Sequence, residues 1–291
     1  MRYGTGVALV SVAAILWSLQ GLVFRQIEEA SPWAILFWRS VGMMPVLLAF
    51  LAWRGRGRVL PGIKRAGLAG VLGGLGLVAA FGGAVYAIQV TTIANAVFMF
   101  AATPFLTALA GWAILGERVG AKTWLSIAIA VAGIYVMMRG GLANGVLAGN
   151  IAALISAAGF AAFTVSLRWR AIADTLPTVL LGGLFAIAGA GAMTAVSGGS
   201  LAVPVPDALW AMGMGAVLLS GGMVLFTLGS RVVPAADLAL LTMIEVMLAP
   251  MWVWLALGET ASRATLMGGI FILGALAING LWGGRRRVSP A

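Results

Sequence analysis

The sequence contains no cysteine and no histidine. A chain without cysteine forms no disulfide framework, and without either residue it has no Cys/His metal site and no imidazole proton relay. Only 9% of its 291 residues are charged, against about 25% in soluble domains. With so few acids and neither His nor Cys, we expect no metal, no other cofactor and no enzymatic function.

The chain is rich in hydrophobic residues and in glycine. Hydrophobic residues make up 62% of the chain, more than a water-soluble protein of this length could bury, so lipid is the expected solvent. The 41 glycines are roughly twice the usual 7% and suit helices that pack closely in a bilayer. No G-x-x-x-x-G-K-[ST] segment is present, which excludes pumping driven by ATP within this chain.

Ten apolar runs are long enough to cross a bilayer as helices, which takes roughly 17–25 residues. They lie at about 7–23, 33–52, 66–88, 93–115, 123–138, 146–166, 178–196, 208–230, 235–257 and 264–282. The split at Gln89–Thr92 is the least marked, because apolar residues continue on both sides. The sequence therefore predicts an all-α integral membrane protein with ten transmembrane helices. We expect the first run to be retained rather than cleaved as a signal peptide, because its loss would leave nine.

The basic residues fall mostly on one predicted side of the membrane. With a cytoplasmic amino terminus, fourteen lie on the cytoplasmic side and three on the far side, as the positive-inside rule predicts. The fourteen are Arg2, Arg54, Arg56, Arg58, Lys64, Arg65, Arg118, Lys122, Arg168, Arg170, Arg231, Arg285, Arg286 and Arg287, and the three are Arg25, Arg139 and Arg263. We expect both termini to be cytoplasmic. Because these charges are scattered over several loops, we expect no nucleic-acid partner.

Two similar segments divide the chain into halves. WAILGERVGAKTW contains Glu117 and WLALGETASRATL contains Glu259, an offset of 142 residues. Each Leu-Gly-Glu ends a long span and is followed by one last span, so each half holds five. Five is odd, so the second half enters the membrane from the opposite side. The sequence predicts two inverted five-helix repeats, residues 1–141 and 142–291 with a short basic tail, as in many secondary transporters.

Three segments carry a resemblance to a known family. TPFLTALAGWAILGER, IEVMLAPMWVWLALGE and LFWRS resemble the fourth, ninth and second helices of the drug/metabolite transporter superfamily, in its EamA-type branch. The chain is most similar to aromatic amino acid exporters of the YddG type. Where many relatives have proline directly after the ninth-helix glutamate, Val246 follows here and Pro250 comes one turn later. The resemblance implies an amino acid substrate and a location in the plasma membrane, the inner membrane of a bacterium.

Glu245 is the one charged residue in the stretch from Leu240 to Trp252. It lies about 15 Å along the ninth span at 1.5 Å per residue, close to mid-bilayer. Intramembrane ionisable residues are candidate functional sites. Three interpretations stay open: Glu245 binds the cationic part of a substrate, it is a structural partner of Arg39 or neighbouring helices, or it carries a proton.

Arg39 lies about 9 Å from the outer end of the second span, and we expect it to be structural. Pro104 and Pro250 remove backbone hydrogen bonds within the fourth and ninth spans and are candidate gate hinges.

Glu117 and Glu259 end their spans beside Arg118 and Arg263. We expect each to form a solvated ion pair that anchors a loop. In the predicted topology the two glutamates occupy matching places at the two gates.

A further set of residues would line a cavity between the helices. Trp17 and Gln20 share one face of the first span, and Phe160 and Phe163 share one face of the sixth. For each ring, packing against other helices or lipid is the alternative. The cavity candidates are Trp17, Gln20, Phe24, Tyr86, Asn95, Phe98, Thr103, Phe160, Phe163 and Glu245.

These features predict a secondary transporter of small organic solutes, amino acids above all, working by alternating access with facilitative or weakly coupled transport. A proton-coupled efflux carrier is one alternative, and a passive channel is the alternative from another class. Nucleotide sugars are disfavoured because only Arg39 offers a cation within a span. The expected partners are a small-molecule substrate and the lipid bilayer, and a monomer is sufficient because one chain supplies both halves.

Overall fold

The computed structural model describes residues 2–143, 146–172 and 174–283, without the side chains of residues 235, 236, 239 and 280–283. Within this part of the chain all regular structure is helical, with no strand. Arg285 to Arg287 of the predicted cytoplasmic tail lie outside the described residues.

Among the residues that the structure describes, nine helices are long and apolar enough to cross a membrane. We number them α1 Tyr3–Phe24, α2 Pro32–Arg54, α3 Leu60–Val90, α4 Ile93–Leu115, α5 Ala121–Ala143, α6 Leu147–Trp169, α7 Leu176–Val196 and α8 Val205–Gly229, with α9 at Ala235–Leu257. A tenth helix, α10, spans Arg263–Gly283, and its stretch Arg263–Asn279 is apolar. All ten predicted runs are thus helical. The predicted break between the third and fourth runs is also present, since α3 ends at Val90 and α4 begins at Ile93.

The largest boundary difference is at the start of α3, which begins at Leu60 rather than near residue 66. Its first turns carry Lys64 and Arg65, so the helix extends beyond the apolar run. Gly67 then has φ 50°, a left-handed value that glycine adopts without steric cost. The backbone therefore kinks where the polar turns meet the apolar span.

Three of the described helices have irregular backbone within their apolar runs. α1 breaks at Leu19, between Tyr3–Ser18 and Gln20–Phe24, and α4 breaks at residues 101–102, between Ile93–Phe100 and Thr103–Leu115. α8 contains a π-helical segment, Met214–Gly221. Irregular backbone is tolerated in a bilayer only where protein or a cavity covers it.

Only one of the two candidate proline hinges lies at a break. Pro104 is in the first turn of the second piece of α4, where a missing N–H removes no helical hydrogen bond. Pro250 lies inside α9, which continues as one helix to Leu257.

Glycine pairs bring neighbouring helices into backbone contact. A Cβ on Gly159 of α6 would lie 2.5 Å from the carbonyl oxygen of Gly76 in α3. A Cβ on Gly229 of α8 would lie 2.7 Å from the carbonyl oxygen of Gly6 in α1. The close approach expected from the glycine content occurs at these crossings.

Among the described residues, three ion pairs join the ends of neighbouring helices and loops. Each joins loops that strict alternation of the spans places on the same face of the membrane. They are Arg25–Glu259, Arg54–Asp174 and Arg168–Glu117.

Candidate functional site

A cavity of about 190 Å³ lies between seven helices, α1, α2, α3, α4, α6, α8 and α9. It includes Arg39 and Glu245, the two charged side chains that the sequence places well inside spans. Most of the remaining wall is apolar or aromatic, and Gln20, Thr103 and Ser156 add an amide and two hydroxyl groups.

The irregular backbone of all three broken helices borders this cavity. Trp17 and Gln20 flank the break in α1, Phe100 and Thr103 flank the break in α4, and Leu219 lies in the π-helical segment of α8. The indole Nε1 of Trp17 donates to the Leu219 carbonyl oxygen at 3.4 Å. The distortions therefore position the rings and carbonyl groups that form the wall.

The structure brings together six of the ten predicted cavity residues. They are Trp17, Gln20, Phe24, Thr103, Phe160 and Glu245. Trp17 and Gln20 both line the cavity from α1, whereas of the pair on α6 only Phe160 does.

Phe163 lies away from the cavity wall, although its ring centroid is 5.3 Å from that of Phe160. It is buried in a second apolar cluster with Leu77, Leu167 and Leu180. Two residues three positions apart on a helix point in similar but not identical directions. Here only the direction of Phe160 leads into the cavity.

Asn95 is buried in a polar network between α4, α6 and α10, outside the cavity wall. Its Nδ2 donates to Thr91 Oγ1 at 3.0 Å and to Asn150 Oδ1, and its Oδ1 accepts from Thr265 Oγ1 at 3.2 Å. Asn150 Nδ2 donates in turn to the Met137 carbonyl oxygen at 3.1 Å. With both ends of its amide engaged, Asn95 holds helices together.

Tyr86 and Phe98 also lie elsewhere. Tyr86 is 37% exposed and lines an apolar groove between α2, α3, α6 and α7. Phe98 packs against Gly269 of α10, where a Cβ would lie 2.5 Å from its ring. These two rings follow the alternative interpretation, packing against helices or lipid.

Glu245 faces the cavity and not the lipid. Its side chain is partly exposed there and, among the described residues, forms no hydrogen bond or ion pair. Arg39 lines the same cavity without pairing with it. Arg39 and Glu245, which one interpretation of the sequence pairs with each other, are thus separate groups on one wall.

Arg39 is 3% exposed, and its Nε and Nη2 atoms are buried without a hydrogen-bond partner in the described chain. The guanidinium carbon lies 4.9 Å from the centre of the Phe81 ring, in a cation–π contact. Arg39 therefore reaches the cavity rather than the outer membrane surface.

Close backbone contact between α2 and α8 fixes the position of Arg39. A Cβ on Gly215 would overlap the Arg39 carbonyl oxygen, and a Cβ on Gly42 would lie 2.6 Å from the Met212 Cα atom. Any larger side chain at either glycine would separate the two helices.

Each neutral polar side chain named in the wall donates to a backbone carbonyl oxygen. Thr103 Oγ1 donates to the Phe100 carbonyl oxygen at 2.6 Å, and Ser156 Oγ donates to the Ala80 carbonyl oxygen at 2.7 Å. Gln20 Nε2 reaches the Trp17 carbonyl oxygen at 3.4 Å. The two charged groups are therefore the strongest unmatched features of the wall.

Sequence reasoning missed several wall residues, among them Phe81, Ser156 and Leu219. Ser156 left a signal, since it is an isolated hydroxyl in an apolar run. Phe81 and Leu219 left no such signal, because a phenylalanine or leucine within a span packs against lipid or other helices as readily as it lines a cavity.

The two Leu-Gly-Glu glutamates form ion pairs, but not with their sequence neighbours. Glu259 pairs with Arg25 at 2.8 Å, and Glu117 pairs with Arg168. Both expected partners, Arg263 and Arg118, are wrong, because the chain turns at glycines in the left-handed conformation, Gly116 and Gly258. Each glutamate thereby meets an arginine at the end of a helix that is distant in sequence.

The Arg25–Glu259 pair makes more additional hydrogen bonds than the Glu117–Arg168 pair. Arg25 also donates to the carbonyl oxygens of Ile88 and Thr91 at 3.1 and 3.0 Å, and Glu259 Oε1 accepts from the Ile93 backbone N–H at 2.6 Å. This cluster ties α1 to the junction of α3 and α4 and to the end of α9.

A larger cavity of about 530 Å³ lies in the groove that contains Tyr86. Its described lining has no charged residue and includes Trp33, Gly82 and Met193. A polar solute finds nothing there to bind, so the smaller cavity is the better candidate. Within the described residues, no group of three or more acids forms that could hold a metal ion.

Comparison with known proteins agrees with this architecture. Residues 4–139 match the model of the EamA-like transporter family. This range runs from the start of α1 to near the end of α5. A solved structure described only as "Crystal structure of protein" is similar, with a TM-score of 0.67 and 20% identity, over 98% of this chain and 100% of that one. At that identity it shows the fold alone. No curated protein matches this chain. Over its first five helices the chain is thus similar to the EamA-like transporter family, and its long apolar helices are those of a multi-pass membrane protein.

Proposed function

We propose that the protein transports amino acids, particularly aromatic and other hydrophobic ones, by alternating access through the cavity between the seven helices. The observation that carries this proposal is the position of Glu245. Its carboxylate lies on the cavity wall with no partner among the described residues, where it would meet the ammonium group of a substrate. A carboxylate at this position within a membrane span is a candidate for a substrate or ion pathway.

The size and lining of the cavity support a solute of amino acid dimensions. At about 190 Å³ it is smaller than the roughly 300–1,000 Å³ of pockets for drug-sized ligands. Trp17, Phe100 and Phe160 supply aromatic surface for an apolar side chain. The same size argues against a nucleotide sugar.

Alternating access rests on the proposed arrangement of two inverted five-helix repeats. The reciprocal pairs support it, since each Leu-Gly-Glu glutamate meets an arginine at the end of the first helix of the other half. Both pairs are formed in this structure, so opening either face would require breaking the pair on that face while the other pair stays closed. We propose cytoplasmic termini, a plasma membrane location, export as the direction of flow and a sufficient monomer.

Uptake into liposomes tests the function. Purified protein is reconstituted and offered labelled amino acids, nucleotide sugars and cationic dyes, with and without unlabelled solute inside. We expect saturable uptake of aromatic amino acids, accelerated by internal substrate. A passive channel would show no such acceleration.

Glu245→Gln should lower uptake at least tenfold, because the ammonium group loses its partner. Glu28→Gln, which removes an exposed carboxylate in the loop after α1, is the matched control and should leave uptake unchanged.

The unpartnered carboxylate also favours one second function, proton-coupled efflux with Glu245 as the proton carrier. The same liposomes with an imposed pH gradient separate the two. Strict dependence on the gradient, lost in Glu245→Gln, would replace facilitated transport by proton antiport.

A further inference from the structure

Arg39 has features that a structural arginine does not need. It lines the cavity on the α2 side, and two of its guanidinium nitrogens are buried without a partner in the described chain. Arginines buried for structure are paired with a carboxylate or satisfied by carbonyl groups, because an unpaired buried charge is costly. Arg39 has only the face of the Phe81 ring.

The surroundings hold this unsatisfied guanidinium in place. α2 cannot move away from α8 without losing the contacts at Gly42 and Gly215, and α2 cannot move closer because backbone atoms already meet there. Phe81 covers one side of the guanidinium. The guanidinium is therefore a preorganised donor next to an open volume.

We propose that Arg39 is an anion subsite that binds the carboxylate of the transported solute. A guanidinium presents its N–H groups in a planar fork that matches a carboxylate in two parallel hydrogen bonds. The inference rests on the proposed function in taking this cavity as the substrate site, and it adds the group that the substrate must carry.

The charge balance of the wall narrows the substrate class. The described lining contains one cation, Arg39, and one anion, Glu245, which do not pair with each other. Such a wall complements a zwitterion, with the ammonium at Glu245 and the carboxylate at Arg39. A cationic dye would leave Arg39 unpaired, and a diphosphate would add negative charge beside Glu245. Both should be rejected.

Binding of three related ligands to the purified full-length protein tests the subsite. The probes are phenylalanine, phenethylamine, which lacks the carboxylate, and 3-phenylpropionate, which lacks the ammonium group. Their dissociation constants are measured for the wild type, for Arg39→Gln and Arg39→Lys, and for the control Arg231→Gln. Arg231 is an exposed arginine in the loop after α8, so the control removes the same charge outside the cavity.

In the wild type and in Arg231→Gln, phenylalanine should bind at least tenfold more tightly than phenethylamine. In Arg39→Gln the ratio should fall to about one, because phenethylamine never used the guanidinium. Arg39→Lys keeps the charge without the fork and should give an intermediate ratio. If Arg39 only supported the fold, Arg39→Gln would weaken all ligands by the same factor and leave the ratio unchanged.

The ligand panel separates this inference from the proposed function. Arg39-dependent binding of 3-phenylpropionate in a protein that carries no amino acid would support the anion subsite while the amino acid function fails. Amino acid transport with an unchanged ratio in Arg39→Gln would overturn the subsite alone. Equal affinity of the wild type for phenylalanine and phenethylamine overturns the subsite even if the variants do not fold.

Discussion

Arg25 and Glu259 form an ion pair at 2.8 Å although they lie 234 residues apart. The pair joins the end of α1 to the end of α9. On the other face, Glu117 after α4 pairs with Arg168 at the end of α6. The Arg25 pair is the more buried, with side chains 26% and 20% exposed against 46% and 33%. We expect the two pairs to open alternately as the cavity changes its access.

The first prediction concerns this difference between the faces. Glu259→Gln should raise access to the cavity from the Arg25 face several-fold, because the amide no longer holds Arg25 as an ion pair. Since the chain has no cysteine, a single Gln20→Cys reports access without background. The measurement is its labelling rate with a membrane-impermeant maleimide applied from each side of oriented vesicles.

Glu117→Gln is the matched variant and should raise labelling from the opposite face only. The exchange of charges in Glu117→Arg with Arg168→Glu should restore the wild-type rate there, because the pair re-forms. Equal rates on both faces in all variants would show that the pairs do not control access.

A second prediction follows from the contact between Gly222 and Trp17. A Cβ on Gly222 would lie 2.8 Å from the Trp17 Cδ1 atom and would overlap the indole nitrogen, so Gly222→Ala must push the ring. Overpacking of this kind costs about 1–3 kcal/mol of stability. We expect lower thermal stability and a shift of uptake toward smaller amino acids.

Gly213→Ala is the control on the same helix, because a Cβ there meets nothing within 4 Å. Trp17→Phe combined with Gly222→Ala should recover much of the lost stability, since the smaller ring leaves room for the methyl group. A selectivity change in Gly213→Ala as large as in Gly222→Ala would contradict the steric explanation.

A third prediction concerns the stability of the substrate-free protein. Arg39→Met removes a buried guanidinium with two unpartnered nitrogens and keeps an unbranched apolar chain. An unsatisfied buried polar group costs about 1–3 kcal/mol, against roughly 0.5–2 kcal/mol for a cation–π contact. We expect unfolding in detergent at a temperature equal to or above that of the wild type, together with lost amino acid binding.

A structural role for Arg39 gives the reverse pattern. The variant would then unfold at a clearly lower temperature even without substrate. Arg54→Met is the comparison, because Arg54 pairs with Asp174 and its loss should destabilise or leave stability unchanged.

The fourth prediction separates the polar network from the cavity. Asn95→Ala removes three hydrogen bonds and leaves Asn150 and Thr265 without one partner each. The expected loss of unfolding free energy is about 1–3 kcal/mol, while relative uptake rates among amino acids stay unchanged. Thermal unfolding and the uptake panel measure the two effects, and altered selectivity would place Asn95 in the substrate path after all.

The helical spans were largely predictable, because hydrogen-bond satisfaction in lipid leaves the backbone few alternatives to a continuous helix. The exceptions are local. Nothing in the apolar run around Leu19 signals a break in α1, and the π-helical segment of α8 left only glycines that suit packing equally well. Pro104 and Pro250 looked alike in sequence, yet only the first lies at a break.

The cavity was partly predictable. Glu245 could be identified because a carboxylate in the middle of an apolar span is costly wherever it points. Asn95 and Phe98 looked equally suitable, but a neighbouring helix satisfies one and covers the other. The ion-pair partners of Glu117 and Glu259 could not be predicted from the sequence, because they lie at the ends of helices that are distant along the chain.

The sequence by itself determined the solvent of this protein, the number of its helices and the position of its one mid-span carboxylate. These follow from composition and from the run length needed to cross a bilayer, which are properties of each segment alone. Only the tertiary structure decided that Arg39 and Glu245 share a cavity without pairing. Which side chains meet depends on how the helices rotate and cross, and close contacts such as that between Gly215 and Arg39 set those rotations.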